Sequence, residues 1–191
     1  MTTALFFGSF NPIHIGHLII ADTIALSKHV KEVWFVVSPQ NPFKEKKGLL
    51  HEEIRKDLID LAIKGKSKLK TSDIESSLPI PSYTIDTLKA LKKKYPKRKF
   101  SIIMGEDNLK NFHKWKDYKD ILEICKLVVY PRPGYKTRRL KNHPSVSTLD
   151  VPLLGISSTI IRERLSKGQA ISYLTPESVE KSITSRKLYR D

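Results

Sequence analysis

The sequence has 191 residues, a single cysteine and a formal net charge of +15. A chain of this length can bury a substantial core, so we expect one domain over residues 1–191. The lone Cys125 excludes an intramolecular disulfide and a cysteine-rich zinc site. Because the start lacks a basic n-region and no apolar run approaches about 18 residues, the sequence predicts a cytoplasmic protein that does not interact with membranes.

The positive charge comes from 35 lysine and arginine residues against 20 acidic residues. The basic residues are spread over segments that mostly lack interleaved aromatic residues on which nucleic-acid bases could stack. These segments span residues 44–47, 64–70, 89–99 and 136–141. We interpret them as a solvated, lysine-rich surface that can attract small anionic substrates, and a nucleic-acid partner is not expected.

The chain begins with an apolar strand, predicted over Ala4–Phe7, which breaks at Gly, Asn and Pro residues and resumes as a helix from Gly16 to about residue 28. Two histidines, His14 and His17, lie where this helix begins. The first N–H groups of a helix are unpaired and bind anions, and histidines three residues apart can face the same anion. The segment Gly8–His17, called the phosphate corner below, therefore predicts a site for a nucleotide triphosphate.

A second apolar strand is predicted at Val33–Val37, which makes residues 4–37 a β-α-β unit with parallel strands. The loop Ser38–Lys44 follows, and its two prolines end the strand. Lys44 is therefore expected at the same carboxyl end of the sheet as the phosphate corner, where open α/β sheets bind ligands.

The remaining elements alternate between strands and helices. The predicted strands span residues 68–74, 99–104, 126–130 and 146–149. Predicted helices span residues 49–63 and 121–124. Three more are predicted: one capped by Ser82 or Thr84, one capped by Ser157 or Ser158, and one that begins at Pro176. This order predicts a three-layer, doubly wound α/β fold with a mostly parallel sheet and a short C-terminal helical extension.

A second candidate phosphate site lies at Ile156–Arg162, another predicted helix start. It combines free N–H donors with two serine hydroxyls and an arginine that can fold back onto an anion. Taken alone, this segment could be an ordinary capped helix. Likewise, His14 and His17 could be surface groups or a pair of metal ligands, although the flanking sequence offers only Asp22 as a further ligand. Together, the two segments favour nucleotide binding.

With these segments in place, the chain resembles the nucleotidyltransferase superfamily that carries the His-x-Gly-His signature, and within it the nicotinate-nucleotide adenylyltransferases, over nearly its whole length. Three further segments match that branch: the loop Ser38–Lys44, the Tyr-Thr-x-x-Thr segment within Ser82–Thr87, and Gly105-x-Asp107 followed by Trp115. One departure is Asn11, where the family commonly has Asp. It removes a charge from the phosphate corner and leaves the role of this residue open.

The resemblance implies a Rossmann-like fold and a reaction. The phosphate of nicotinate mononucleotide attacks the α-phosphorus of ATP directly, without a covalent enzyme intermediate, and pyrophosphate leaves. Catalysis then consists of aligning two polyanions and neutralising the charge that develops during transfer. Mg²⁺ is expected as the cofactor, held by substrate phosphates and water rather than by protein side chains.

The resemblance also implies a role for each matching residue. The catalytic set is His14, His17, Lys44 and Arg162. The ATP-binding set is Gly8, Ser9, Phe10, His14, His17, Gly105, Asp107, Ile156, Ser157, Ser158 and Arg162. The set for the nicotinate nucleotide is Lys44, Tyr83, Thr84, Trp115 and Arg132. For Tyr83 and Trp115, ordinary packing is an alternative interpretation.

Three alternative functions remain open at this stage. A phosphopantetheine adenylyltransferase would share both phosphate segments, although the longer chain and the Tyr83, Thr84 and Trp115 set argue against it. A cytidylyltransferase for glycerol phosphate or choline phosphate is a weaker candidate. A non-catalytic module that binds nucleic acid through the +15 charge is the alternative from a different class. The resemblance to class I aminoacyl-tRNA synthetases is confined to His14–His17, and a homo-oligomer is left open.

Overall fold

The computed structural model describes residues 1–39, 48–135, 140, 142–152 and 154–190. Within this part of the chain, six strands form one parallel sheet with the order β3-β2-β1-β4-β5-β6. The strands are β1 (Thr2–Gly8), β2 (Val30–Val37), β3 (Leu69–Ser72), β4 (Lys99–Gly105), β5 (Lys126–Tyr130) and β6 (Val146–Thr148). The helices are α1 (Ile15–Ala25), α2 (Glu52–Ala62), α3 (Thr84–Lys94), α4 (Glu106–Asn111), α5 (Tyr118–Ile124), α6 (Ser158–Ser166) and α7 (Glu177–Ser185).

The central strands are apolar throughout because both faces of the sheet are covered. In β1, Ala4 and Phe6 pack into one hydrophobic cluster, and Leu5 between them packs into the other. In β2, Phe35 packs into the first cluster and Trp34 packs into the second. Successive side chains of a strand point to opposite faces, so a strand buried on both sides is a continuous apolar run.

Helices cover both faces of this sheet. Buried side chains of α1, α2, α6 and α7 enter the first cluster, and those of α3, α4 and α5 enter the second. The structure therefore confirms the predicted three-layer, doubly wound α/β fold with a parallel sheet and a C-terminal helix.

The strand order places a topological switch point between β1 and β4. The chain proceeds from β1 to β2 and β3 on one side, and from β4 to β5 and β6 on the other. Ligands of open α/β sheets bind in the crevice outside the carboxyl ends of the strands at such a point. Here those ends are Gly8 and Gly105, so the phosphate corner and the segment containing Asp107 border one crevice.

Some predicted boundaries were wrong. The helix predicted over 49–63 begins at Glu52, because both backbone groups of Leu50 bond to side chains. The Leu50 N–H donates to Asn11 Oδ1 over 3.3 Å, and the Leu50 carbonyl accepts from Arg55 Nε over 2.9 Å. The strand predicted over 68–74 shortens to Leu69–Ser72. Helix α4 was not predicted, although Gly105 followed by Glu106 and Asp107 is a typical helix start, with acidic residues near the positive end of the helix dipole.

The predicted cap of α3 was also wrong. Tyr83 is the N-cap residue, and its side chain makes no capping hydrogen bond. The Ser82 hydroxyl instead donates to Glu75, in the 3₁₀ helix Ile74–Ser77, over 3.0 Å. By contrast, α6 is capped by Ser157, one of the two predicted serines, since its hydroxyl accepts from the Ile160 N–H over 3.3 Å.

Candidate active site

The phosphate corner joins β1 to α1, and its two histidines lie against each other. The His14 and His17 rings are stacked with a centroid distance of 3.6 Å and an interplanar angle of 23°. His14 is the N-cap of α1, and its Nδ1 accepts from the His17 backbone N–H over 3.4 Å. The His17 ring in turn packs edge-on against Phe10 at 5.0 Å. The predicted juxtaposition of the two imidazoles is thus present.

The protonation of His14 follows from its surroundings. Its side chain is 5% exposed. Burial, and secondarily the charge of Arg132, lower the pKa of His14 to about 4. The ring is therefore neutral near pH 7, and since Nδ1 accepts a hydrogen bond, the proton lies on Nε2. His14 can act as a neutral Nε2–H donor at the start of α1.

The backbone of the corner is shaped by Phe10. This residue has a φ of 44°, in the left-handed region, and its side chain is 2% exposed in the core. A Cβ at Gly8 would lie 2.9 Å from the Phe10 ring, so a glycine is required there. Because the Phe10 ring is buried, a contact with ATP at this position would come from its backbone N–H.

The start of α6 is hydrogen-bonded to the phosphate corner. The Ser158 hydroxyl donates to the Pro12 carbonyl over 2.9 Å, and Arg162 Nη1 donates to the Asn11 carbonyl over 2.8 Å. Ser158 and Pro12 are separated by 146 positions in the sequence, and Arg162 and Asn11 by 151. The two candidate phosphate segments are therefore parts of one site. Arg162 is already engaged through two nitrogens, since its Nη2 also donates to the Thr159 hydroxyl over 3.4 Å.

Asn11 has a structural role that the sequence left open. It is 4% exposed, and its Nδ2 donates to the Gly48 carbonyl over 2.8 Å. Its Oδ1 accepts from the Leu50 N–H over 3.3 Å and from the Tyr189 hydroxyl over 2.8 Å. A carboxylate could accept both bonds but could not donate to Gly48. The amide thus ties the corner to the segment before α2 and to the chain's C-terminal residues.

On the β4 side of the crevice, Gly105, Asp107 and Arg132 are in close contact. Arg132 Nε lies 3.5 Å from Asp107 Oδ1, and its guanidinium lies 5.5 Å from the Tyr130 ring centroid. A Cβ at Gly105 would lie 2.3 Å from Asp107 Oδ1, so a side chain there would displace the Asp107 carboxylate. Arg132, predicted for the nicotinate nucleotide, lies beside residues predicted for ATP.

A cleft connects these groups. Its lining combines both histidines and Arg132 with apolar side chains suited to a base or ribose. The lining residues are His14, Gly16, His17, Ile19, Ile20, Tyr130, Pro131, Arg132, Pro133, Val151, Pro152, Leu154 and Ile156. Ile156, predicted to bind ATP, therefore lines the same cleft as the two histidines of the phosphate corner.

The segment predicted for the nicotinate nucleotide lies at the start of α3. Thr84 is the first residue of this helix, so its N–H is one of the unpaired donors there. The Tyr83 side chain is 37% exposed, and Lys116 Nζ lies 4.9 Å from its ring centroid. Trp115 is half-buried, with its ring centroid 5.2 Å from that of Phe112. Packing therefore accounts for part of the Trp115 surface and leaves part accessible.

Glu75 organises this segment, and the sequence interpretation assigned it no role. The side chain is 3% exposed and accepts from the Ser82 hydroxyl over 3.0 Å and the Thr87 hydroxyl over 2.7 Å. Burial raises the pKa of Glu75 against the opposing effect of these hydrogen bonds. The carboxyl group therefore holds the residues on both sides of Tyr83 and Thr84 in place.

Lys44 lies outside the described residues. Within the described residues, there is no group of three or more His, Cys, Asp or Glu side chains that could hold a metal ion. In that same part of the chain, no helix is long and apolar enough to cross a membrane.

Comparisons with known proteins identify the family of the chain. A family model described as Cytidylyltransferase-like matches residues 5–164. A protein named probable nicotinate-nucleotide adenylyltransferase from Cytophaga hutchinsonii is 50% identical over 189 residues, covering 99% of this chain and 98% of that protein. One of the same name from Flavobacterium johnsoniae is 45% identical over 192 residues, covering 100% of both.

The fold has a counterpart among solved structures. The nicotinic acid mononucleotide adenylyltransferase of Plasmodium falciparum, complexed with NaAD, matches with a TM-score of 0.84 and 24% identity, covering 98% of this chain and 97% of that one. At this identity, the match supports the fold alone. The family model and the relatives at 45–50% identity settle the family: the chain belongs to the cytidylyltransferase-like family and, within it, to the nicotinate-nucleotide adenylyltransferases.

Proposed function

We propose that this chain transfers the adenylyl group of ATP to nicotinate mononucleotide, which yields nicotinate adenine dinucleotide and pyrophosphate and serves NAD biosynthesis. The observation that carries the proposal is the direct contact between the phosphate corner and the start of α6, through Ser158 to Pro12 and Arg162 to Asn11. Two helix N-termini meeting at the carboxyl ends of parallel strands suit a triphosphate. The family membership supports nicotinate mononucleotide as the acceptor and adenylyl transfer as the reaction.

In this mechanism the nucleophile is the phosphate of nicotinate mononucleotide, which is ionised near pH 7. No general base is needed, so the protein aligns the two nucleotides and stabilises the charge that develops on the transferring phosphoryl group. His14 would donate from Nε2 as a neutral group, and His17 would lie beside it on the triphosphate. Arg162 would contribute its remaining guanidinium N–H groups, and Lys44 would add charge from the loop after β2.

The two nucleotides would occupy different parts of the cleft. Asp107 would accept hydrogen bonds from the ATP ribose once Arg132 turns toward a phosphate, and the Ile156 backbone would border the adenine. The N–H groups at the start of α3, with the Thr84 hydroxyl, would receive the nicotinate carboxylate. Trp115 would stack on the pyridine ring through its accessible face.

Mg²⁺ is proposed as the cofactor. The donor set of the site fits a metal carried in by the nucleotide, because the described residues include no carboxylate cluster and Asp107 is paired with Arg132. When bound, Mg²⁺ would neutralise charge on the triphosphate and on the leaving pyrophosphate. We further propose that the protein acts in the cytoplasm.

A substrate panel tests the proposed function. Purified full-length protein is supplied with ATP, Mg²⁺ and one of three acceptors: nicotinate mononucleotide, nicotinamide mononucleotide or phosphopantetheine. We expect pyrophosphate release with nicotinate mononucleotide at a kcat/KM at least about 100-fold above the other two, since the amide cannot reproduce charge-assisted bonds to helix N–H groups. Turnover with phosphopantetheine alone would overturn the acceptor assignment but not adenylyl transfer.

A further inference from the structure

Arg55 of α2 is an arginine buried inside the protein. Its side chain is 0% exposed, in a helix whose other charged residues are partly or fully exposed. In the described part of the chain, its hydrogen bonds all go to backbone carbonyls. Nη1 donates to Ser9 over 2.6 Å and to Ser38 over 3.0 Å, Nη2 donates to Pro39 over 3.4 Å, and Nε donates to Leu50 over 2.9 Å.

These carbonyls belong to three separate segments around the proposed ATP site. Ser9 follows β1 within the phosphate corner, Ser38 and Pro39 follow β2, and Leu50 precedes α2. One nitrogen, Nη1, bridges the carboxyl ends of β1 and β2. A planar guanidinium with five N–H donors in a fixed fork can hold several carbonyls at set angles, which a lysine ammonium cannot do.

The bond to Ser9 determines the direction of a backbone donor in the corner. In a planar trans peptide, the C=O and the following N–H point in opposite directions. Since the Ser9 carbonyl points at Arg55, the Phe10 N–H points away from it. Phe10 has a φ of 44°, a conformation that is costly for an aromatic residue unless its surroundings impose it. Arg55 supplies one of the contacts that impose it.

The charge of Arg55 is costly for a purely structural residue. Burial lowers the pKa of Arg55, and the negative charge of the nearby Glu52 opposes this shift. Among the described contacts, Arg55 makes no hydrogen bond to Glu52. A buried charge that is held by carbonyls alone stabilises a fold less than an apolar residue of similar volume usually does. A bound polyanion next to the corner would offset this cost, since opposite charges attract strongly where water is excluded.

We propose that Arg55 is a positioning residue for the triphosphate. It holds Ser9 and Phe10 in the conformation that presents backbone N–H donors, joins the corner to the loop after β2, and keeps a fixed positive charge behind the phosphates. This inference rests on the proposed function for the identity of the ligand. It assigns Arg55 no contact with the reacting atoms.

The test compares Arg55→Lys and Arg55→Met with Arg98→Lys as the matched control. Arg98 is also an arginine held by tertiary contacts, but it pairs with Glu32 and lies 5.0 Å from the Trp34 ring centroid near the amino ends of the strands. Dissociation constants are measured for a non-hydrolysable ATP analogue by calorimetry and for adenosine by NMR titration. Thermal unfolding establishes that each variant is folded at the temperature used.

We expect both Arg55 variants to bind the ATP analogue at least about tenfold more weakly, which corresponds to 1.4 kcal/mol, while their affinity for adenosine stays within about twofold of wild type. Arg98→Lys should leave both affinities unchanged. Met removes the buried charge but leaves the carbonyls of Ser9, Ser38, Pro39 and Leu50 without this donor, so its thermal unfolding is measured before its affinities. Equal losses for both ligands, or no loss, would overturn the proposal. So would failure of both Arg55 variants to fold where Arg98→Lys folds, since Arg55 would then serve the fold.

The two proposals fail in different ways. If wild-type protein does not bind the ATP analogue, the proposed function is wrong. If wild-type protein binds the analogue and turns over, but the Arg55 variants match it, the inference about Arg55 is wrong and the proposed function stands.

Discussion

At the scale of single residues, the paired histidines have different environments. His14 is held by its position as the N-cap of α1 and by the bond from the His17 N–H, whereas His17 lies between His14 and the Phe10 ring. Both rings are thus held by packing before any ligand binds. Preorganised donors of this kind contribute to catalysis because they need not reorganise as charge develops.

His17→Ala should lower kcat/KM by about 100-fold or more, because it removes a donor from the transferring phosphoryl group. The protein should remain folded, with cooperative thermal unfolding. His29→Ala is the control, since His29 is exposed beside the first residue of β2 and should not affect turnover. Wild-type turnover in His17→Ala, or loss of its cooperative unfolding, would contradict this role.

His14 should make stability depend on pH. Its pKa is about 4 in the folded protein, below the ordinary value of 6.5, so the unfolded chain binds more protons between these values. The free energy of unfolding should therefore fall as pH drops from 6.5 toward 4, by up to about 1.4 kcal/mol per pH unit from this residue. Above pH 6.5 its contribution should be constant.

The measurement is urea unfolding at several pH values for wild type and His14→Asn. Asparagine retains an acceptor for the His17 N–H but does not titrate. The difference between the two proteins isolates His14 from other titrating groups, such as Glu75, whose pKa burial raises. An unchanged pH slope in His14→Asn would contradict the buried, neutral state of the ring.

At the scale of elements, the start of α3 depends on a neighbouring segment rather than on its own cap. Tyr83, the N-cap, makes no side-chain capping bond. Glu75 instead receives the hydroxyls of Ser82 and Thr87, which flank the helix start. A buried acceptor thereby connects the 3₁₀ helix Ile74–Ser77 to the proposed site for nicotinate mononucleotide.

Glu75→Gln should raise the KM for nicotinate mononucleotide about fivefold, because the amide nitrogen cannot accept from a hydroxyl and one neutral hydrogen bond is worth about 1 kcal/mol. The KM for ATP should change little. Initial-rate kinetics with each substrate varied in turn measure both constants, and Glu123→Gln, an exposed change on α5, is the control. Equal changes in both constants would indicate a general effect on the fold.

At the scale of the whole molecule, many basic residues gather near the amino ends of the strands, away from the phosphate corner. Lys99 and Lys126 begin β4 and β5, and Lys92–Lys94 end α3. Basic residues at the end of a helix interact favourably with its dipole. Even so, with a net charge of +15, the excess lysine and arginine side chains repel one another across the folded surface.

Added salt should therefore stabilise the protein. Raising NaCl from about 0.01 M to 0.15 M shortens the screening length from about 30 Å to 8 Å, so Tm should rise. A variant with exposed Lys93, Lys97, Lys99 and Lys126 changed to Gln, with a net charge of 15 − 4 = +11, should show a smaller rise in Tm. Equal salt responses in the two proteins would show that repulsion among these lysines does not limit stability.

The sequence by itself determined the fold class and indicated the two candidate phosphate segments, because both depend on local patterns. Continuous apolar runs identify strands buried on two faces, and Gly, Pro, Ser and His at helix starts mark anion sites. Strand β5 at Lys126–Tyr130 was predicted as it occurs, and the cap of α6 is one of the two predicted serines, Ser157. The domain boundary, the roles of the site residues and the cytoplasmic location stay predictions.

Only the tertiary structure decided what supports the site. Arg55 and Ser9 are 46 residues apart, and Tyr189 and Asn11 are 178 apart, so no local pattern connects them. An arginine in an amphipathic helix is normally solvent-exposed, and a glutamate near a turn normally is too, which hides the buried roles of Arg55 and Glu75. These polar groups are buried because carbonyls and hydroxyls from distant segments satisfy them, and that match exists only once the chain is folded.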